Sequence, residues 1–194
     1  MAGKKVQKEK LSIVNLLIMG LLIDRPMSAY EIVRIIETQI IGRLVKVSAP
    51  AVYKNIKELH QAGYLEAERK KTGETPDKKV YSVTEAGKPY FLKLMEHYSS
   101  SLSNYYSDFN VFLINLDKVD KQTGVRMLEN LRDQFYQFKS WIVRHEQEAR
   151  AKDIHFTGRA IIKQYRMMIY TLIAWIEEVI EEYRQAENLG KHHW

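Results

Sequence analysis

An apolar run from Ile13 to Ile23, interrupted by Asn15, begins the patterned part of the chain. It predicts a buried helix closed by the breaker Asp24-Arg25-Pro26. The run is far short of the roughly 20 apolar residues a bilayer-spanning helix needs, so it belongs to a core and no membrane partner is expected. Ser28-Ala29-Tyr30-Glu31 has capping-box spacing, in which the serine hydroxyl accepts from the third helical amide and the glutamate reaches back, and it predicts a second helix to about Thr38. A third helix is predicted from Ser48, a good N-cap, with Pro50 in the first turn where its missing N–H is harmless, and Gly63 as the stop. Along it Val52, Ile56 and Leu59 recur at i, i+4, i+7 and turn inward, which places Ala49, Ala51, Tyr53, Lys54 and Lys57 outward or on the flank.

After Gly63 the period changes to two. Tyr64 to Arg69 and Lys79 to Val83 read as strands, joined by the turn-rich Thr72-Gly73-Glu74-Thr75-Pro76-Asp77, which makes a β-hairpin with a basic tip. Three helices followed by such a hairpin is the order of a winged helix-turn-helix, whose third helix enters the major groove while the hairpin follows the backbone.

Beyond Thr84–Pro89 the helical period returns and persists. Three stretches carry apolar residues at alternating spacings of three and four: Phe91 to Leu116, Leu128 to Ile142, and Ile162 to Tyr183. With Asp117–Gly124 and Asp153–Gly158 as connections, they predict an antiparallel three-helix arrangement. The fold class is therefore mainly α with a small β-hairpin wing: a winged helix-turn-helix domain at 1–86, then a long-helix, coiled-coil-like domain at 87–194 that dimerises. Trp141, Ile161, Met168 and Trp175 widen the stripes, which leaves two readings open, a partner surface or completion of an intramolecular core.

Charge sharpens the division. Residues 1–95 hold 17 Lys+Arg against 10 Asp+Glu, and residues 96–194 hold 13 against 14, so the halves carry +7 and −1. A basic half fits a polyanionic partner. All six Phe and all three Trp lie at or beyond Phe91, so two cores of different character are expected. Cysteine is absent, which removes disulfides, thiolate metal sites and thiol nucleophiles and suits a reducing cytoplasmic setting. The basic start (Lys4, Lys5, Lys8, Lys10) has no small-residue cleavage site before Asp24, so no export signal is read.

Four blocks in order, Leu16-Leu17-Ile18-Met19-Gly20-Leu21-Leu22, Ser28-Ala29-Tyr30-Glu31-Ile32, Ser48 to Leu59, and Lys79-Val80-Tyr81-Ser82-Val83-Thr84-Glu85-Ala86-Gly87, resemble the PadR-like transcriptional regulators. The chain departs from that pattern at Ala29, where Gly is frequent, and at Pro89, which bears on where the next helix starts or bends. The resemblance implies a homodimeric repressor of a pseudo-palindromic operator, with a small-molecule inducer in some members.

The residues expected to meet double-stranded DNA are Tyr30, Ser48, Ala49, Pro50, Ala51, Tyr53, Lys54 and Lys57, with Lys70, Lys71, Lys78 and Lys79 on the hairpin; Lys4 to Lys10 are further phosphate contacts. Small Ala49 and Ala51 permit close approach, and the helix N-terminus favours a phosphate. Dimerisation is assigned to Phe91, Tyr98, Tyr105, Phe109, Ile162, Ile169, Leu172, Trp175, Ile176 and Val179. Tyr98, Tyr105, Phe109, Trp141 and Trp175 are candidates to line a site for a small aromatic or drug-like effector, against the alternative that they are simply core.

Enzymatic chemistry finds little footing. His145-Glu146 begins like a zinc-protease helix, but Ala149 stands where the second histidine is needed. Glu177, Glu178, Glu181 and Glu182 lack a neighbouring histidine and read as a solvated acidic face. No glycine-rich phosphate loop occurs, and no cofactor or metal is expected. The competing function is a winged helix used as a protein-interaction module, which an acidic or apolar outer face on the third helix would signal.

Overall fold

The computed structural model describes residues 11–38, 46–72, 75–101, 107–151 and 154–186, with the side chains of 70–72, 75–77 and 150–151 excepted. The chain forms two compact units, Met1–Asn104 and Tyr105–Trp194. In the first unit the elements are α1 (Ile13–Asp24), β1 (Met27–Ser28), α2 (Ala29–Thr38), α3 (Ala49–Gln61), β2 (Leu65–Thr72), β3 (Thr75–Val83) and α4 (Gly87–Ser100).

Each helix starts where its local chemistry satisfies orphan amides. The Ser12 hydroxyl accepts from the Val14 amide at 3.3 Å. At α2 the capping box closes both ways: the Glu31 amide donates to the Ser28 hydroxyl at 3.3 Å, and the Ser28 amide donates to the Glu31 carboxylate at 2.8 Å. The Ser28 amide and hydroxyl, with Arg25 nearby, hold the Glu31 carboxyl below its ordinary 4.5. At α3 the Ala51 amide donates to the Ser48 hydroxyl at 3.4 Å.

α3 stops in a Schellman turn. Gly63 sits at φ +80, the Tyr64 amide bonds the Leu59 carbonyl at 3.0 Å, and the Gly63 amide bonds the His60 carbonyl at 3.1 Å. The same turn anchors the far end of the hairpin. The Thr84 amide donates to the Tyr64 carbonyl at 3.1 Å, and the Thr84 hydroxyl donates to the Gly63 carbonyl at 2.7 Å while accepting from the Gly87 amide at 3.1 Å. Gly87 is required by this closeness, since a Cβ there would run into the Tyr64 carbonyl oxygen.

The sheet is antiparallel in the order β1-β3-β2, with Leu65 opposite Val83 and Arg69 opposite Lys79. β1 is an addition to the expected hairpin: Met27 and Ser28 pair with Tyr81 and Val80, which ties the start of α2 to the wing. The turn is shorter than its composition suggests. Residues 75–77 belong to β3, and Thr72 pairs with Thr75, because the ladder continues past an irregularity between Lys70 and Thr72. Ile18, Met19, Ile32, Val52, Ile56, Leu65 and Leu94 form the core of this unit, with Tyr90 joined to buried Asn15 by a 2.9 Å hydrogen bond and stacked on Tyr64 at 4.1 Å.

The second unit holds α5 (Phe109–Ile114), a 3-10 turn (Leu116–Lys118), α6 (Lys121–Ala151) and α7 (Phe156–Gln185). Leu128, Phe135 and Ile142 of α6 meet Ile169, Ile173, Ile176, Ile180 and Tyr183 of α7. Contacts from Glu129–Arg184 at one end to Glu146–Arg166 at the other run in opposite directions along the two helices, so the pair is antiparallel.

The expected three-helix arrangement is corrected here. The stripe from Phe91 to Leu116 is not one helix: α4 ends at Ser100, and Phe109, Phe112 and Leu116 belong to a different core from Leu94. Serine-rich sequence is the reason. The hydroxyls of Ser100 and Ser101 bond back to the carbonyls of Glu96 and His97 at 2.7 Å, competing with the helical ladder in a run of poor helix formers. The compact units accordingly divide after Asn104, beyond the Thr84–Pro89 region, because Tyr90 and Leu94 are buried in the first core. Pro89 falls in the first turn of α4, where no amide bond is lost.

Two substitutions check this architecture. Gly87→Ala should cost about 1–3 kcal/mol through the clash with the Tyr64 carbonyl, read as a lower urea midpoint with an unchanged m value. Because the Glu31 carboxyl is depressed, its contribution is complete above about pH 4.5 and is lost as pH falls through its lower folded value. The stability gap between wild type and Glu31→Gln should therefore be full at neutral pH and close in acid, as followed by urea melts at several pH values.

Candidate nucleic-acid interface

The inner face of α3 is occupied by Val52, Asn55, Ile56 and Leu59, all buried. Its outer face then follows from the helical period. Pro50, Tyr53, Lys54, Lys57 and Gln61 recur at i, i+3, i+4, i+7 and i+11, and all are exposed. Tyr53 is 48% exposed, Lys54 forms a long, solvated pair with Glu58 at 3.9 Å, and Ser48 stands exposed at the N-terminus. Ala49 and Ala51 are half-buried on the flank. Tyr30, 64% exposed, projects from the first turn of α2.

Asn55 is the one polar side chain among the buried residues of α3. Its amide nitrogen donates to the Ala51 carbonyl at 2.7 Å, while its Oδ1 is buried with no hydrogen-bond partner among the described residues.

The hairpin register adds what the sequence did not make visible. Arg69 lies directly opposite Lys79, and Lys70 directly opposite Lys78, so like charges face each other in two successive cross-strand pairs. Such pairs are unfavourable in an isolated sheet and become favourable when an anion lies between or above them. Lys79 also reaches over the Tyr81 ring, 5.4 Å from its centre. Since successive residues of a strand point to opposite faces, exposed Lys78 and exposed Lys79 put a cation on each side of β3.

Arg69 is the residue that sequence reasoning passed over. Only knowledge of the register reveals it as the partner of Lys79. Exposed Lys46, before the α3 cap, and exposed Arg34 on α2 are further cations not anticipated. Lys70 and Lys71 are in β2, with Lys71 at the irregularity, while their side chains and the whole of Lys4 to Lys10 lie outside the described residues.

The residues assigned to dimerisation separate. Phe91 and Tyr98 pack against the first core. Phe109 meets Phe135 edge-on at 5.5 Å and Trp175 at 5.8 Å, while Ile169 and Ile176 are fully buried between α6 and α7. Leu172, Trp175 and Val179 are half-buried against that core, Ile162 is half-buried, and Tyr105 lies outside the described residues. Of the effector candidates, Trp141 stacks on Phe138 at 5.7 Å and lies tilted beside His145 at 4.0 Å, and Phe109 and Trp175 meet in the second core, whereas Tyr98 packs against the first.

Among the described residues no group of three or more His, Asp or Glu is placed to hold a metal ion, and no helix is long and apolar enough to cross a membrane.

Comparison with known proteins bears on this arrangement. No curated protein matches the chain. Among solved structures it is similar to Bacillus subtilis PadR in complex with operator DNA, at 15% identity and a TM-score of 0.77 over 89% of this chain and 99% of that one. It is also similar to Bacillus subtilis PadR in complex with p-coumaric acid (13% identity, TM-score 0.72, 93% and 100% covered) and to the Vibrio cholerae virulence activator AphA (17%, 0.65, 88% and 98%). At such identities the likeness is one of fold. Residues 18–93, from within α1 to the middle of α4, match the model of the transcriptional regulator PadR-like family. In its winged-helix unit, the chain is therefore similar to the PadR-like family of transcriptional regulators.

Proposed function

We propose that the chain is a sequence-specific DNA-binding repressor that grips a pseudo-palindromic operator as a cytoplasmic homodimer and is released by a small aromatic or drug-like effector. The observation that carries the DNA-binding part is the outer face of α3, with Tyr53, Lys54 and Lys57 exposed in one stripe, together with a wing whose register sets Arg69 against Lys79 and Lys70 against Lys78. In this reading α3 enters the major groove N-terminus first. Ser48 and the small Ala49 and Ala51 approach a phosphate, while Pro50, Tyr53, Lys54 and Lys57 meet backbone and base edges. Tyr30 flanks the helix, and Lys70, Lys71, Lys78 and Lys79 follow the backbone of the duplex.

One such unit reads few base pairs. A twofold dimer that sets two α3 helices about 34 Å apart supplies the rest, which makes the operator palindromic. The second unit, residues 105–194, is the natural place for self-association, and the aromatic cluster around Trp141 and Trp175 the place for an effector. The complexes solved for Bacillus subtilis PadR, with operator DNA and with p-coumaric acid, support both halves of the reading. Repression rests on family resemblance, and AphA, a virulence activator, carries the same fold, so the sign of regulation is read by reporter assay.

Selection of bound duplexes from a random library should return a motif with twofold symmetry. On that motif, Lys54→Ala/Lys57→Ala should weaken binding and flatten the dependence of log K on log salt by about 0.9 for each lysine that meets a phosphate. An unselective pool, together with unchanged affinity for the double variant in low-salt gel shifts, would overturn the reading.

A further inference from the structure

His60 lies near the end of α3, on the edge of its outer stripe that meets the wing. It follows Lys57 by one turn and Tyr53 by two, so it sits about 20° around the helix from Tyr53. The imidazole is half-buried, and its two nitrogens are used unequally. Nδ1 stands 2.9 Å from the Leu65 carbonyl of β2. A carbonyl oxygen only accepts, so Nδ1 bears the hydrogen of the neutral ring and Nε2 bears the lone pair. Among the described residues Nε2 has no partner, and it is not enclosed, so it opens to solvent. One nitrogen aims the ring and the other is left available.

The surroundings of the ring are cationic. The imidazole meets the Tyr81 ring edge-on with centres 6.0 Å apart, and Lys79 reaches over the same ring at 5.4 Å. Strand alternation puts Arg69 of β2 on the Tyr81 side of the sheet, while Glu66 and Glu68 turn to the other side, where Glu66 accepts from the Ser82 hydroxyl at 3.2 Å. β1 offers uncharged Met27 opposite Tyr81, and α1 and α2 meet α3 through the apolar core. Tyr64 is stacked on Tyr90 of α4. On α3 itself Lys57 stands one turn earlier, and Glu58 turns away toward Lys54. Among the described residues no carboxylate pairs with the imidazole.

We propose that His60 is a proton-linked contact to DNA: as the duplex binds, Nε2 takes up a proton from solvent and donates a hydrogen bond to a backbone phosphate lying between α3 and the wing, so that operator affinity rises as pH falls. The inference rests on the DNA-binding reading above and adds a residue and a form of regulation to it. A neutral ring turns only a lone pair toward a phosphate, which repels it, whereas an imidazolium makes a charge-assisted bond. Histidine changes charge between about pH 5 and 8, while the lysines and Arg69 stay charged throughout that range and cannot respond to it. Nδ1 donates to Leu65 in both states, so the charge changes without the ring having to move.

The test uses the full-length chain and its selected operator. Wild type should bind about tenfold more tightly at about pH 6 than at about pH 8, the worth of one charge-assisted hydrogen bond. The slope of log K against log salt should steepen by about 0.9 between the two, as one more phosphate is neutralised. Both changes should disappear in His60→Asn, whose amide can still donate to Leu65, and in His60→Gln, with circular dichroism and urea melts checking that each variant is folded. The imidazole can also be followed by NMR in wild type without any substitution: its titration midpoint should rise when the duplex is added, and an unmoved midpoint would overturn the inference. Selective binding with the same pH and salt dependence in the variants as in wild type would overturn the role of His60 and leave the DNA-binding reading standing. Absence of selective binding at either pH would overturn both.

Discussion

The Gly63–Tyr64 turn holds α3, both long strands and α4 in one hydrogen-bonded junction, and the geometry of the first unit depends on it. Its bonds run from Tyr64 to Leu59, from Thr84 to Tyr64 and Gly63, and from Gly87 to Thr84. Because each partner belongs to a different element, the helix that presents Lys54 and the wing that presents Lys79 cannot tilt independently. Two glycines make this possible for different reasons. Gly63 takes a left-handed backbone that other residues avoid, and Gly87 leaves room for a carbonyl oxygen where any side chain would collide.

On that junction the chain mounts an unfavourable arrangement of charge. Opposed cations on β2 and β3 repel one another in the free protein, and the cost is small because the side chains are solvated and screened. A nearby polyanion reverses the sign of the interaction. This is the simplest physical account of why a strand pair would keep Arg69 against Lys79 and Lys70 against Lys78 when any alternation of charge would be more stable alone. The exposed face of α3 is arranged the same way: among the described residues its Lys54 pairs only with Glu58, at 3.9 Å and well exposed, too weakly to hold the charge.

The second unit solves a different problem. Two long helices joined by a short connection bury one stripe each, and Leu128, Phe135 and Ile142 at seven-residue intervals match the three-four alternation from Ile169 to Tyr183. A stripe that is fully used within the chain cannot also face a partner. Apolar periodicity therefore marks where α6 and α7 meet.

Local chemistry made much of this legible. Ser28 with Glu31, Ser48 with Pro50, and Gly63 fixed helix boundaries because caps and stops act within a few residues, and the outward stripe of α3 followed from the period of a single helix. What sequence could not decide was everything that depends on which distant residues meet. The pairing of β1 with β3 and of Arg69 with Lys79 is a matter of register. The break after Ser100 turned on hydroxyls competing with a ladder that periodicity alone would have continued. The assignment of Ile169 and Ile176 to an intramolecular core needed α6 in place, since one apolar stripe fits a neighbour from the same chain as well as from another. Sequence determined the winged-helix unit and its basic face, because short-range backbone demands write themselves into residue types; tertiary structure decided which hydrophobic surfaces were already taken, because burial is nonspecific and only geometry assigns its partner.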